Sequence, residues 1–145
     1  MTKQIKSKQR VNKYGEVFTA EREVKAMCDL VPEWTIENKF LEPACGNGNF
    51  LVEIAKRKFS LCKNVKDGLK ALTSIVGIDI QEDNVVESRN RLYKLFVTTF
   101  TEANSISKLF ALNIIKNNII CGNSLEIMKQ WEEKINNNQI STSSM

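Results

Sequence analysis

The residues Phe40-Leu41-Glu42-Pro43-Ala44-Cys45-Gly46-Asn47-Gly48-Asn49-Phe50-Leu51 join an apolar pair, an acid and two glycines spaced one residue apart. An apolar residue follows and opens a helical pattern. Glycines 46 and 48 remove Cβ atoms where a chain must turn tightly and where a ligand must approach backbone amides. The layout is strand, glycine turn, helix, the element that holds an adenosine-type cofactor in open α/β sheets. A dinucleotide loop needs a third glycine so that the helix can sit over a pyrophosphate. That position is Leu51 here. An ordinary strand-to-helix turn is the competing account.

Two further polar signals fall at the ends of apolar runs. Asp79 closes Ser74-Ile75-Val76-Gly77-Ile78-Asp79-Ile80, with Glu82 three residues later. A carboxylate at that point can accept both hydroxyls of a ribose, with Ile80 covering a face of the base. It can equally cap the helix that follows. Asn123 and Ser124 close Asn117-Asn118-Ile119-Ile120-Cys121-Gly122. Simple N-capping of a following helix accounts for these two residues.

These residues need elements to carry them, and the periodicity supplies alternating helices and strands. Thr19 reads as the N-cap of a helix running to Val31, ended by Pro32. Lys39–Glu42 reads as a first strand and Phe50–Phe59 as a helix. The segment 62–73 reads as a loop with a short helix. Ser74–Ile80 is a strand that is apolar on both faces, the mark of a covered parallel sheet. Glu82–Phe96 is helical, 105–113 is a weaker helix, 117–121 a third strand and Leu125–Ile135 a last helix. The polar segment 136–145 is expected to be a disordered tail. Such alternation predicts an α/β fold with three parallel strands, flanking helices and a ligand site at the strands' carboxyl ends.

Composition narrows the chemistry. The 145 residues carry a net charge of +4, are 42% hydrophobic and 26% charged, and suit one globular domain. Lys3, Lys6, Lys8, Arg10 and Lys13 concentrate positive charge in an amino-terminal arm (residues 1–18), either to touch phosphates or as a solvated, frayed terminus. The chain has no histidine, which excludes Ser-His and Cys-His nucleophile systems. Cys28, Cys45, Cys62 and Cys121 form no C-x-x-C pair, so no metal site is expected and all four read as buried small apolar residues. No apolar run approaches the roughly 20 residues that span a bilayer. A cytoplasmic location is expected.

The twelve-residue segment resembles the D/E-P-A-C-G-S-G-x-F-L cofactor loop of S-adenosylmethionine-dependent DNA methyltransferases that modify the amino group of adenine. Lys13-Tyr14-Gly15-Glu16-Val17-Phe18-Thr19-Ala20 resembles the G-x-x-F-T-P segment of the same family, with Ala20 in place of the usual proline. Cys121-Gly122-Asn123-Ser124-Leu125 resembles its G-D/N-S/A-L turn, with Asn123 for the commoner aspartate. The resemblance spans about residues 13–126 and implies a partial doubly wound, Rossmann-like methyltransferase sheet within 19–135. It implies that S-adenosylmethionine contacts Tyr14, Phe18, Thr19, Glu42, Pro43, Ala44, Cys45, Gly46, Asn47, Gly48, Phe50, Asp79, Ile80, Asn123 and Ser124. In it Phe18 and Thr19 line the methionine end, Glu42 faces the amino group of the methionine, and Asn123 meets the adenine amine.

The family's catalytic Asn/Asp-Pro-Pro-aromatic motif, which grips a flipped base, has no counterpart, since the prolines are Pro32 and Pro43 alone. No catalytic residue is therefore assigned. The implied partners are DNA, through a complete enzyme, and either a second copy or a catalytic chain paired to the first-strand edge. A non-catalytic binding module derived from a methyltransferase is the alternative.

Overall fold

The computed structural model describes residues 3–4, 6–7, 10 and 18–143, with Lys3, Gln4, Phe18 and residues 139–143 described by backbone only. Among these residues the elements follow in order: β1 (Lys3–Gln4), β2 (Phe18–Thr19), α1 (Glu21–Cys28), β3 (Phe40–Glu42), α2 (Asn49–Phe59), α3 (Val65–Thr73), β4 (Ile75–Asp79), α4 (Glu82–Thr99), α5 (Ser105–Asn118), β5 (Ile119–Cys121) and α6 (Ser124–Ser143). The main sheet is parallel in the order β3-β4-β5, and the first two strands make a small antiparallel pair.

β4 is the central strand because its sequence can be covered on both faces. Ile75 and Ile78 are buried, as are Leu51, Leu92 and Phe96 from the helices packed around it. Each such side chain contributes roughly 1.5–3 kcal/mol of transfer free energy. Phe59, Phe96 and Phe100 form an aromatic cluster with centroids 5.0–6.2 Å apart. The helix starts follow local polar chemistry: the Asn64 side chain accepts from the Asp67 amide and Asn104 from that of Ser107.

Ahead of β3, the fully buried Lys58 reaches out of α2 and donates to the carbonyls of Thr35, Ile36 and Asn38 and to Asn38 Oδ1. It thereby fixes the approach to the first parallel strand. Trp34 stacks on Phe40 at 5.0 Å, and the Lys58 ammonium lies 5.2 Å from the Phe40 ring centre.

Several expected boundaries move. Thr19 lies in β2, paired with Lys3, and the N-cap of α1 is Ala20, which makes no side-chain capping bond. α1 stops at Cys28, before Pro32. Most of the segment 62–73 is helical, because Asn64 caps it and Leu72 and Ala71 are buried against the core. α5 runs on to Asn118, held by the buried Ala111 and Ile115. α6 continues into the segment expected as a disordered tail, where no glycine or proline follows Gly122 to stop it. Of the cysteines, 28 and 45 are buried, but Cys62 is half-buried and Cys121 exposed at the end of an outer strand, where only one flank is covered. No helix among the described residues is long and apolar enough to cross a membrane.

Candidate functional site

The glycine loop is built by ties in three directions. The Cys45 amide donates to the Ile78 carbonyl at 2.8 Å, which anchors the loop to β4. The Gly48 amide closes a turn onto the Cys45 carbonyl at 3.0 Å, and the Gly48 carbonyl accepts from Val52 as α2 begins. Gly46 and Gly48 both adopt positive φ, 55° and 94°, a conformation that a side chain would strain. A Cβ on Gly48 would lie 2.9 Å from Ser88 Oγ, so α4 packs directly on the turn. Ser88 donates to the Gly46 carbonyl at 3.0 Å.

Asp79 is the other half of this arrangement. Its Oδ2 accepts from the Gly46 amide at 2.9 Å, and its Oδ1 accepts from the Gln81 amide at 2.9 Å and Asn84 Nδ2 at 3.1 Å. The side chain is buried. A carboxylate offers about four acceptor positions, and three are engaged among the described residues. One remains, on the Gly46 side. The carboxylate thus braces the loop and the start of α4 together.

The three strand ends converge as the topology requires. Glu42 is in register with Gly77, Asp79 is in register with Cys121, and the Gly122 amide donates to the Asp79 carbonyl at 3.0 Å. Asn123 follows, exposed, its Oδ1 accepting from the Glu126 amide at 3.2 Å as the cap of α6, with Ser124 the first helical residue. Ile80 is exposed at the same rim, and Phe50 packs against the core from the first turn of α2. Glu42 Oε1 accepts from the Ala44 amide at 3.2 Å, and burial raises its pKa despite that bond. Burial pushes the Cys45 thiol up to about 12, with the neighbouring Asp79 charge adding to it. Pro43 and Ala44 are exposed, and Asn47 is half-buried.

Thr19 is brought to the loop by its backbone. Its carbonyl accepts from Asn49 Nδ2 at 2.7 Å, Asn49 Oδ1 accepts from Arg91 at 2.8 Å, and Arg91 also donates to the Asn47 carbonyl at 2.9 Å. The Phe18 backbone lies in β2, while Tyr14 falls outside the described residues. Asn49, Asn84, Ser88 and Arg91 were not among the residues assigned from sequence. Their signal was present in Asn84 and Ser88, polar residues four apart on the same helix side as Val85 and Leu92. Among the described residues no group of three or more His, Cys, Asp or Glu could hold a metal ion.

A parallel α/β sheet with a two-glycine loop after its first strand and a strand-end acid bracing that loop is consistent with a partial Rossmann-like methyltransferase fold. The comparisons agree with that class. The chain is similar to the Type II methyltransferase M.VspI of Vibrio sp. (strain 343), with 36% identity over 84 residues, 58% of this chain. It spans only 18% of that protein's length. No family model and no solved structure matches the chain. The relationship to a methyltransferase is therefore carried by this alignment and by the fold.

Proposed function

We propose that the chain is the S-adenosylmethionine-binding part of a DNA adenine-N6 methyltransferase. The observation that carries this reading is the loop 42–50, with both glycines at positive φ, set beside Asp79 and Asn123 on one rim. The residues fit such a cofactor. The exposed Ile80 offers an apolar surface to a purine, and Asn123 an amide beside it. Asp79 keeps one acceptor position for a ribose hydroxyl. Glu42 stands at the loop's entrance for an ammonium group, whose arrival would favour its charged form. When bound, S-adenosylmethionine supplies the electrophilic methyl group.

Calorimetry with S-adenosylmethionine and S-adenosylhomocysteine tests the reading. Binding of both, weakened severalfold by Asp79→Asn with the fold retained, is expected; no binding of either would overturn it. The same reading holds that this polypeptide by itself transfers no methyl group to DNA, since positioning and charge stabilisation of the target amine need groups it does not carry. Radiolabelled methyl incorporation into mixed-sequence DNA over multiple turnovers would refute that.

A second reading, an association module derived from a methyltransferase, draws on one feature that the first shares. β3 is an edge strand of the described sheet, and its own Leu41 is 43% exposed. Both readings place a second chain, a copy or a catalytic partner, on that edge, and both suit a cytoplasmic protein that meets DNA through the assembled enzyme.

A further inference from the structure

We propose that Lys6 and Arg10 latch the glycine loop through α4, with Lys6 and Asn84 as positioning residues that set the Gly46 amide from behind the loop. Its bearing on a cofactor rests on the reading above; its geometry does not. Lys6 Nζ donates to Asp83 Oδ2 at 2.9 Å and to Asn84 Oδ1. Arg10 forks onto the same Asp83 carboxylate at 2.8 and 3.0 Å, a bidentate pair. The two cations hold the Asp83 carboxyl far below the usual carboxylate range.

The link inward runs through Asn84, which is fully buried. Its amide has two unlike ends. With Oδ1 toward the Lys6 ammonium, Nδ2 must face Asp79 Oδ1, 3.1 Å away. The reverse orientation would set donor against donor at Lys6 and acceptor against acceptor at Asp79. Lys6 and Asp79 together fix the amide orientation that occupies Oδ1 of Asp79, which leaves Oδ2 to the Gly46 amide at 2.9 Å. A second tie acts on the far side of the turn. The arm's β1 pairs with β2, and from β2 the Thr19 carbonyl holds Asn49 at the start of α2. Two cations of the arm are thus committed to α4 rather than free to read phosphate.

The outer ion pairs lie in reach of solvent: the Asp83 side chain is 54% exposed and that of Lys6 28%. Salt screens such pairs over about 10 Å at 0.1 M. The latch therefore makes the loop, and cofactor affinity with it, sensitive to ionic strength.

The test uses the whole chain, nitrogen-15 labelled, without cofactor. Amide exchange at Gly46 is compared with that at the core residue Ile78 in wild type, Lys6→Met, Lys6→Arg and Asn84→Ala, with circular dichroism checking the fold. Expected is a roughly two- to tenfold acceleration at Gly46 alone in Lys6→Met, the span one hydrogen bond's net worth allows, restored by Lys6→Arg. Raising salt from about 0.05 M to about 0.5 M should reproduce the effect in wild type and add little in Lys6→Met. S-adenosylhomocysteine affinity, by calorimetry, should fall in parallel. Unchanged Gly46 exchange in folded Lys6→Met overturns the latch, whether or not the cofactor binds. Accelerated Gly46 exchange in a chain that binds no cofactor establishes the latch and sinks the cofactor reading alone.

Discussion

The carboxylate of Asp79 and the backbone amide of Gly46 meet at 2.9 Å across 33 positions of sequence. The acid at the end of β4 is thus a structural part of the glycine loop before any ligand is considered. Asp79→Ala would leave the Gly46 and Gln81 amides and the Asn84 side chain without their acceptor in a buried place. Unfolding in urea, without cofactor, should show a loss of roughly 2–3 kcal/mol. A loss below about 0.5 kcal/mol, the level of an ordinary surface change, would mean that the loop does not lean on this residue.

Gly68 tests packing rather than conformation. It sits inside α3, where replacing glycine by alanine ordinarily stabilises by about 1 kcal/mol. Here an added Cβ would lie 2.5 Å from the Phe100 ring, itself locked against Phe59 and Phe96. Gly68→Ala should therefore destabilise by roughly 1–3 kcal/mol. In the Phe100→Leu background the same change should cost less, by a coupling that a double-mutant cycle in urea would measure. Additive effects would show that the ring yields freely.

These two residues also show how far the sequence could be read. The two-glycine spacing, the β-branched run ending in Asp79 and the Asn123 turn were legible because each is local chemistry with a fixed period. The parallel three-stranded sheet followed from their alternation. What each polar group touches was not legible. In sequence Asp79 reads either as a ribose acceptor or as the cap of the next helix; its donors at residues 81 and 84 lie on the capping side, while the donor from residue 46 before it was not legible. Gly68 suggested a loop because nothing nearby in sequence announces Phe100. Thr19 looked like a cap because Glu21 and Glu23 suit a first helical turn, while its strand partner Lys3 lies far upstream.

Stability should pass through a maximum near pH 9. Burial lowers the Lys58 pKa to about 8, below its ordinary 10.5. Above pH 8 the unfolded chain therefore binds more protons at this site than the folded one, and stability rises with pH. The thiols act in the opposite sense. Burial raises Cys62 to about 11 and Cys45 to about 12 from 9.0, so above pH 9 the unfolded thiols ionise while the folded ones do not, and stability falls. Urea unfolding at intervals from pH 7 to 10 would trace this curve. Lys58→Met should remove the rise between pH 8 and 9 and keep the fall beyond it. It should also lower stability overall by roughly 2–3 kcal/mol, because the carbonyls of residues 35, 36 and 38 lose their donor. A rise that survives in Lys58→Met would assign it elsewhere.

The last prediction concerns the outer edge of β3. Phe40, Leu41 and Glu42 pair with β4 on one side, and no described strand pairs with them on the other. Such an edge is a template for a further strand unless charge, proline or a covering element blunts it. The covering here is partial. Trp34 stacks on Phe40 and Lys58 approaches the same ring, yet Leu41 remains 43% exposed, and Lys39 and Pro43 stand only at the strand's ends. Exposed apolar surface of this kind marks interfaces. The purified chain should therefore self-associate, or bind a catalytic chain, with Leu41 in the contact. Leu41→Lys places a charge on the edge and should weaken association at least about tenfold while leaving the fold intact. Sedimentation velocity from low to high micromolar concentration reads this directly. A wild-type chain that stays monomeric throughout, and that captures no methyltransferase catalytic chain, would show that the edge is protected by Trp34 and Lys58 alone.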